Sequence, residues 1–201
     1  MRIISGKFKG RTIKRPASIR PTQDKVRKAL FDILGDIQGL SFLELYAGSG
    51  AVGLEALSLG ASKVVFVEKN RVCIEKIKEN IRIIGPLDYQ IIKLDVDKAL
   101  RQIDQNQEKF DIIFLDPPYA PRSRNNIASC SGSREELSQS LAKKTLKTLS
   151  HYDIVSHYGL IICQHFKKDN LPGVIDSLNL IKQSKYGDTL LSFYNKGLKH
   201  V

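Results

Sequence analysis

Ser41-Phe42-Leu43-Glu44-Leu45-Tyr46-Ala47-Gly48-Ser49-Gly50-Ala51-Val52-Gly53 is the stretch from which the rest of the chain can be read. A short apolar run, Ser41–Leu45, ends in a glycine-rich loop. The loop opens a helical stretch, Ala51–Leu59, that stops at Gly60. Strand, loop and helix in this order form the first half of a β-α-β unit, and the pattern then repeats. Val64–Val67 reads as a second buried strand. Asn70 can cap a helix carrying Ile74, Ile77, Ile81 and Ile84, stopped by Gly85-Pro86. Tyr89–Leu94 predicts a third strand, Asp97–Ile103 a short helix and Phe110–Leu115 a fourth strand. Glu135–Leu149 predicts a further helix and Gly159–Phe166 a fifth strand. Leu180–Lys185 and Thr189–Tyr194, around Tyr186-Gly187-Asp188, form a final hairpin. Ahead of this series, Thr22 can cap a helix with Asp24 in its first turn, Val26, Ala29, Leu30, Ile33 and Leu34 at helical spacing, and Gly35 as its stop. Strict alternation implies an α/β chain with a parallel sheet and helices on both faces. Ligands of such sheets bind beyond the carboxyl ends of the strands, where the strand order reverses.

The glycine loop falls at one such end. Gly48, Gly50 and Gly53 satisfy GxGxxG, a pattern shared by dinucleotide and S-adenosylmethionine sites. Glu68 closes the second strand, placed for both hydroxyls of a ribose. Glu44 separates the two ligands, because a carboxylate before the loop repels a pyrophosphate and suits the ammonium end of S-adenosylmethionine. Asp95, after the third strand, is placed to accept from an adenine amino group. Any one of these acids is more simply a solvated loop residue or a helix cap. Three of them after three successive strands favour S-adenosylmethionine.

Asp116-Pro117-Pro118-Tyr119 follows the fourth strand. Proline has no N–H and a fixed φ, so this turn is stiff and its carbonyls are available as acceptors. Asp116 and the Pro117 carbonyl can accept the two hydrogens of an exocyclic amine, while Tyr119 stacks on the ring. Such an amine is a poor nucleophile because its lone pair is delocalised into the ring. Drawing off its hydrogens pushes the nitrogen toward tetrahedral geometry. Delivery to a methyl donor is then a matter of positioning. The target base must be single-stranded or flipped out of its stack.

Charge points to the kind of substrate. The 201-residue chain has a net charge of +11, and residues 1–28 hold ten basic side chains against one acid, Asp24. This asymmetry predicts a polyanionic partner, nucleic acid above all. Ile3, Ile4, Phe8 and Ile13 interleave with the charges, which predicts a folded basic hairpin turning at Lys7–Gly10 in place of a solvated tail. With 42% apolar residues the chain can bury a core as one domain with a small appendage. No apolar run reaches membrane-spanning length and the opening has no secretory h-region. Cys73, Cys130 and Cys163 lack metal-ligand spacing, so neither a metal site nor a disulfide framework is expected, and a reducing cytoplasm fits. His151, His157, His165 and His200 form no evident set.

Several stretches together resemble one family, the bacterial small-subunit ribosomal RNA (guanine-N2)-methyltransferases of the RsmD type. They are Met1–Arg11, Arg20-Pro21-Thr22-Gln23-Asp24-Lys25-Val26-Arg27, Leu30-Phe31, Ala47–Gly50 with Gly53–Leu57, Phe66-Val67-Glu68, Phe114–Tyr119 and Tyr186-Gly187. Asp116–Tyr119 itself resembles the (D/N)PP(Y/F) signature of amino-group methyltransferases. The resemblance implies a Rossmann-like class I methyltransferase fold with a mostly parallel seven-stranded sheet and a small basic N-terminal β-hairpin. It divides the chain into an RNA-gripping extension, 1–20, and a catalytic domain, 21–201. It implies Asp116, Pro117, Pro118 and Tyr119 as the catalytic turn, and a cofactor site built from Thr22, Glu44, Tyr46, Ala47, Gly48, Gly50, Glu68, Lys69, Asp95 and Val96. Arg2, Lys7, Lys9, Arg11, Lys14, Arg15 and Arg20 would hold RNA, with Arg20-Pro21-Thr22 lying across the cofactor pocket. The implied reaction is methylation of the 2-amino group of one guanine in small-subunit RNA during assembly, by a cytoplasmic monomer. The chain departs from the family at Gln164, where an acid is common, and in its longer polar loop, Arg122–Arg134, which reads as a surface loop or as a lid over substrate.

Three other readings stay open at this level: a DNA or RNA adenine methyltransferase, an NAD-dependent oxidoreductase suggested by GxGxxG, and a non-catalytic RNA-binding assembly factor.

Overall fold

The computed structural model describes residues 1–16, 23–85, 87–118 and 140–197. The chain order is α1 (Asp24–Leu34), β1 (Ser41–Leu45), α2 (Ala51–Ser58), β2 (Lys63–Val67), α3 (Arg71–Ile84), β3 (Tyr89–Ile92), α4 (Val96–Gln105), β4 (Phe110–Leu115), α5 (Leu141–His151), β5 (Val155–Phe166), β6 (Val174–Ile175), β7 (Leu178–Tyr186) and β8 (Thr189–Lys196). The strands form one sheet in the order β3-β2-β1-β4-β5-β8-β7-β6. The first five run parallel, and β8, β7 and β6 pair antiparallel. Successive strands step outward from β1 to β3, then the chain returns to place β4 on the other side of β1. The order therefore reverses between β1 and β4, and a ligand crevice opens there.

The period-two alternation of each strand sorts the core into two layers. Phe42, Phe66, Phe114 and Ile162 face α1, α2 and α3. Leu43, Val65, Ile113 and Ile161 face α4 and α5. The helices answer with matching stripes. On α3, Ile74, Ile77, Ile81 and Ile84 are buried, and the Asn70 side chain caps its start by accepting from Val72 N at 2.9 Å and Cys73 N at 3.4 Å.

The expected architecture is present, with four local differences. The sheet has eight strands where seven were expected, the extra one being the two-residue edge strand β6. The opening segment folds back on itself, with Ile3 N donating to Arg11 O at 3.0 Å and Ile13 N to Met1 O at 2.8 Å, but its strand pairing is limited to the bridge Arg2 to Thr12, because the Ile4, Ser5 and Lys7 amides bond to the body. Gln23, without a side-chain bond, occupies the N-cap of α1, while Thr22 lies outside the described residues. The described part of the helix expected over Glu135–Leu149 begins at Leu141, capped by Ser140.

Residues 1–16 lie against the body. Ile3, Phe8 and Ile13 are buried in the same cluster as α1, α2 and β1. The Ile4 and Ser5 amides donate to the Glu55 carboxylate at 2.6 to 3.0 Å, and Lys7 N donates to Ser58 O at 2.7 Å. Gly6 is needed at this crossing: it has φ +75°, and a Cβ there would sit 2.0 Å from Ser58 O. Beneath the segment Arg27 is fully buried. It donates through Nε to Glu55 Oε2 at 3.2 Å and through Nη2 to Arg2 O at 2.6 Å and Asp24 Oδ1 at 3.1 Å. One of the ten basic residues of the opening is therefore a structural tie and not part of a basic surface.

Candidate active site

The parallel ladders pair Leu45 with both Val67 and Leu115, and Leu115 with Cys163. One step further along, Glu68, Tyr46, Asp116 and Gln164 form a row at the carboxyl edge of the sheet, across the switch point. The glycine loop hangs over β1 and β2, and Asp116-Pro117-Pro118 continues β4. Sequence reading assigned these to separate tasks, and the topology brings them to one edge.

Glu44 holds the loop from below. Gly50, the N-cap of α2, offers no side chain to the orphan amides of the first turn. The Glu44 carboxylate supplies the missing acceptor from β1, taking Gly53 N at 2.9 Å and Val52 N at 3.3 Å. Gly53 makes room for it: a Cβ there would lie 2.8 Å from Glu44 Oε2 and 2.5 Å from Phe66 Cε1. Glu44 is only 3% exposed. Burial pushes its carboxyl up to about 8, against the downward pull of the Gly53 and Val52 amides and with a further upward push from Asp116 and Glu68. The residue expected to meet an ammonium group thus also braces the loop, through the Val52 and Gly53 amides.

Glu68 and Asp95 stand nearer the solvent. Glu68 accepts from Gly48 N at 2.8 Å through Oε2, and from Lys69 N at 2.9 Å and Asn70 N at 2.8 Å through Oε1, so it joins the loop to the end of β2. A carboxylate has about four acceptor directions, which leaves capacity for ligand hydroxyls. Asp95 caps α4 through Asp97 N and pairs with Lys69 Nζ at 2.8 Å. The Lys69 hydrogen bond holds its carboxyl below the usual range. Val96, the next residue, is buried against the sheet, and Ala47 is buried in the loop.

Tyr46 adopts φ +58°, a conformation uncommon for a residue with a Cβ. Its hydroxyl lies 2.7 Å from Thr145 Oγ1 on α5. Thr145 directs its own hydrogen to Leu141 O at 2.9 Å, so Tyr46 is the donor. Burial pushes its phenol up to about 12. The bond ties the glycine loop to α5, the first described element after the Asp116-Pro117-Pro118 turn.

Asp116 is half-buried, Pro117 buried and Pro118 exposed. Gln164 Nε2 donates to Asp116 Oδ2 at 2.8 Å. Tyr119, Thr22, Arg20 and the loop 122–134 lie outside the described residues.

The basic segment reaches the same edge. Arg2, Lys7, Lys9, Arg11, Lys14 and Arg15 are exposed, and Lys7 and Arg11 lie over the Phe8 ring at 5.7 and 5.1 Å. Asn80 of α3, 1% exposed, accepts from Lys14 N at 2.8 Å and donates to Lys14 O at 2.9 Å and Ser49 O at 3.1 Å. The segment is thereby pinned to the glycine loop. Sequence reading missed Asn80 and Glu55. Glu55 was detectable as the only charge in Ala51–Ser58, a helix buried on every side. Asn80 gave no such signal.

A sheet of this order, with a glycine loop on its first strand and an acid-proline turn after β4, defines a Rossmann-like class I methyltransferase fold. The chain belongs to the family described as "Conserved hypothetical protein 95", whose model matches residues 1–195. It is 32% identical to "Putative rRNA methyltransferase YlbH" of Bacillus subtilis (strain 168), over 98% of this chain and 99% of that one. It is 26% identical to "Ribosomal RNA small subunit methyltransferase D" of Escherichia coli (strain K12), over 98% of this chain and 90% of that one. Among solved structures, "Putative methyltransferase yhhF from Escherichia coli" superposes with a TM-score of 0.77 at 25% identity, covering 99% of both chains.

Proposed function

We propose that this protein transfers a methyl group from S-adenosylmethionine to the exocyclic 2-amino group of a guanine in small-subunit ribosomal RNA. The observation that carries the reading is the row Glu68-Tyr46-Asp116 at the switch point, which sets the acid-proline turn directly beside the glycine loop. The names of both relatives support ribosomal RNA as substrate, and the name of the Escherichia coli relative supports that of the small subunit.

The site residues fit the cofactor. Glu68 and Asp95 flank the loop, a pair that suits a sulfonium and an ammonium and disfavours a pyrophosphate, while Glu44 braces the loop from below. Glu68 would take ribose hydroxyls, Asp95 the adenine amine, and the Glu44-braced amides of the loop the amino-acid end. When bound, the cofactor supplies an electrophilic methyl group. Asp116 accepts a hydrogen of the substrate amine, the Pro117 carbonyl accepts the other, and the stiff turn fixes the nitrogen where its lone pair can act. Lys7, Lys9, Arg11, Lys14 and Arg15 hold RNA phosphates along the docked segment, at a distance from the loop set by the Asn80 tie. In this reading residues 1–20 are the RNA-gripping extension, of which 1–16 are described and lie along the catalytic body. The protein acts as a cytoplasmic monomer during subunit assembly, and free Cys73 and Cys163 suit a reducing compartment.

Titration calorimetry with S-adenosylmethionine and with NAD tests the cofactor. Binding of the first and not the second is expected, and the opposite result would overturn the reading.

A further inference from the structure

We infer that Gln164 is a positioning residue for methyl transfer, holding Asp116 ionised and oriented as an amine acceptor. The inference rests on the proposed amine methylation. The β4–β5 register sets Leu115 beside Cys163, so Asp116 and Gln164 emerge as neighbours on one face. Gln164 is 6% exposed, and its Nε2 lies 2.8 Å from Asp116 Oδ2. An ionised carboxylate only accepts hydrogen bonds, so the carboxamide must turn its NH₂ toward Asp116. That choice leaves Gln164 Oε1 buried and without a partner among the described residues. Stranding a buried amide oxygen is unfavourable, and an apolar side chain at the same place would avoid it. The gain is a donor aimed at one oxygen of Asp116, which fixes the carboxylate plane and favours its charged form.

The donor in this chain is neutral. Glu44 faces Asp116 from β1 and Cys163 adjoins it from β5, and both groups are already pushed toward their uncharged forms, chiefly by burial and further by Asp116. A second acid at position 164 would have to share a proton with Asp116. A carboxamide donates at every pH.

Two variants test this. Gln164→Met keeps the volume and removes the donor, and kcat should fall about tenfold to a hundredfold, with the affinity for S-adenosylmethionine unchanged. Gln164→Glu can donate only while protonated. Its kcat relative to the unsubstituted chain should be near one at low pH and fall as pH rises. A purely packing role predicts a pH-independent ratio. Carbon-13 NMR of the Asp116 carboxyl gives a readout that needs no turnover: it should titrate at higher pH in Gln164→Met than in the unsubstituted chain. Unchanged kcat in Gln164→Met, a flat ratio in Gln164→Glu, or an unmoved Asp116 titration overturns the inference. If the unsubstituted chain binds no S-adenosylmethionine and transfers no methyl group, the proposed function fails, whatever the NMR titration shows.

Discussion

Replacing Glu55 with alanine should detach the basic segment from the body and cost a large part of the protein's stability. Glu55 is 1% exposed and accepts from Arg27 Nε, Ile4 N and Ser5 N. Arg27, fully buried, would retain the Arg2 carbonyl, Asp24 and the Met1 sulfur as partners, with only Asp24 left as a counter-charge, 61% exposed. Breaking a buried ion pair by removing one partner costs about 3–5 kcal/mol. Two stranded amides, each worth about 1–3 kcal/mol if they stay dry, push the cost toward the upper end of that range. Against a typical domain stability of about 5–15 kcal/mol, that is a third or more. Urea denaturation reads the loss as a lower midpoint. The pair Arg27→Met with Glu55→Leu removes both charges and should recover much of the loss, a positive coupling in the double-mutant cycle. A loss below about 1 kcal/mol for Glu55→Ala, or a double variant as unstable as the two single losses added, would refute the buried tie.

Gly53→Ala forces a methyl against Phe66, Val64 and Glu44. It should cost about 1–3 kcal/mol and weaken S-adenosylmethionine binding by tilting the loop, both measurable by denaturation and calorimetry. Glu44 has a folded pKa raised from 4.5 to about 8. The stability contribution of its protonated form is therefore complete below about pH 4.5 and is lost as pH rises through about 8. Melting temperatures of the unsubstituted chain, set against Glu44→Gln at each pH, should fall across that window. A constant difference would show that Glu44 is ionised throughout.

The β/α series was legible because each strand is a short apolar run and each helix carries a 3.6-residue stripe bounded by a cap or glycine. Val64–Val67 and Asn70–Gly85 show this in twenty-two residues. The edge strand β6 was not legible, since two residues carry no periodicity and pair only because β7 offers them an edge. The placement of Asp116, Glu68 and the glycine loop at one edge was legible, because each sits where a strand of a parallel sheet must end. The bonds of Glu44 to the Val52 and Gly53 amides were not legible, for a physical reason. A carboxylate on a strand tip reads the same whether it faces ligand or the amides of the next helix, and only the Gly50 cap, which lacks a side chain, decides between them. Arg27 was counted with the basic surface because charge in a sequence carries no sign of burial. Its partner Glu55 lies 28 positions away, and tertiary packing alone joins them.

Methyl transfer to small-subunit ribosomal RNA, followed by digestion and mass spectrometry of the nucleosides, tests the central claim most directly. The unsubstituted chain with S-adenosylmethionine should yield N2-methylguanosine, and Asp116→Ala should reduce it to background while still binding the cofactor. Methylated adenine as the product, or guanine methylation undiminished in Asp116→Ala, would contradict the account.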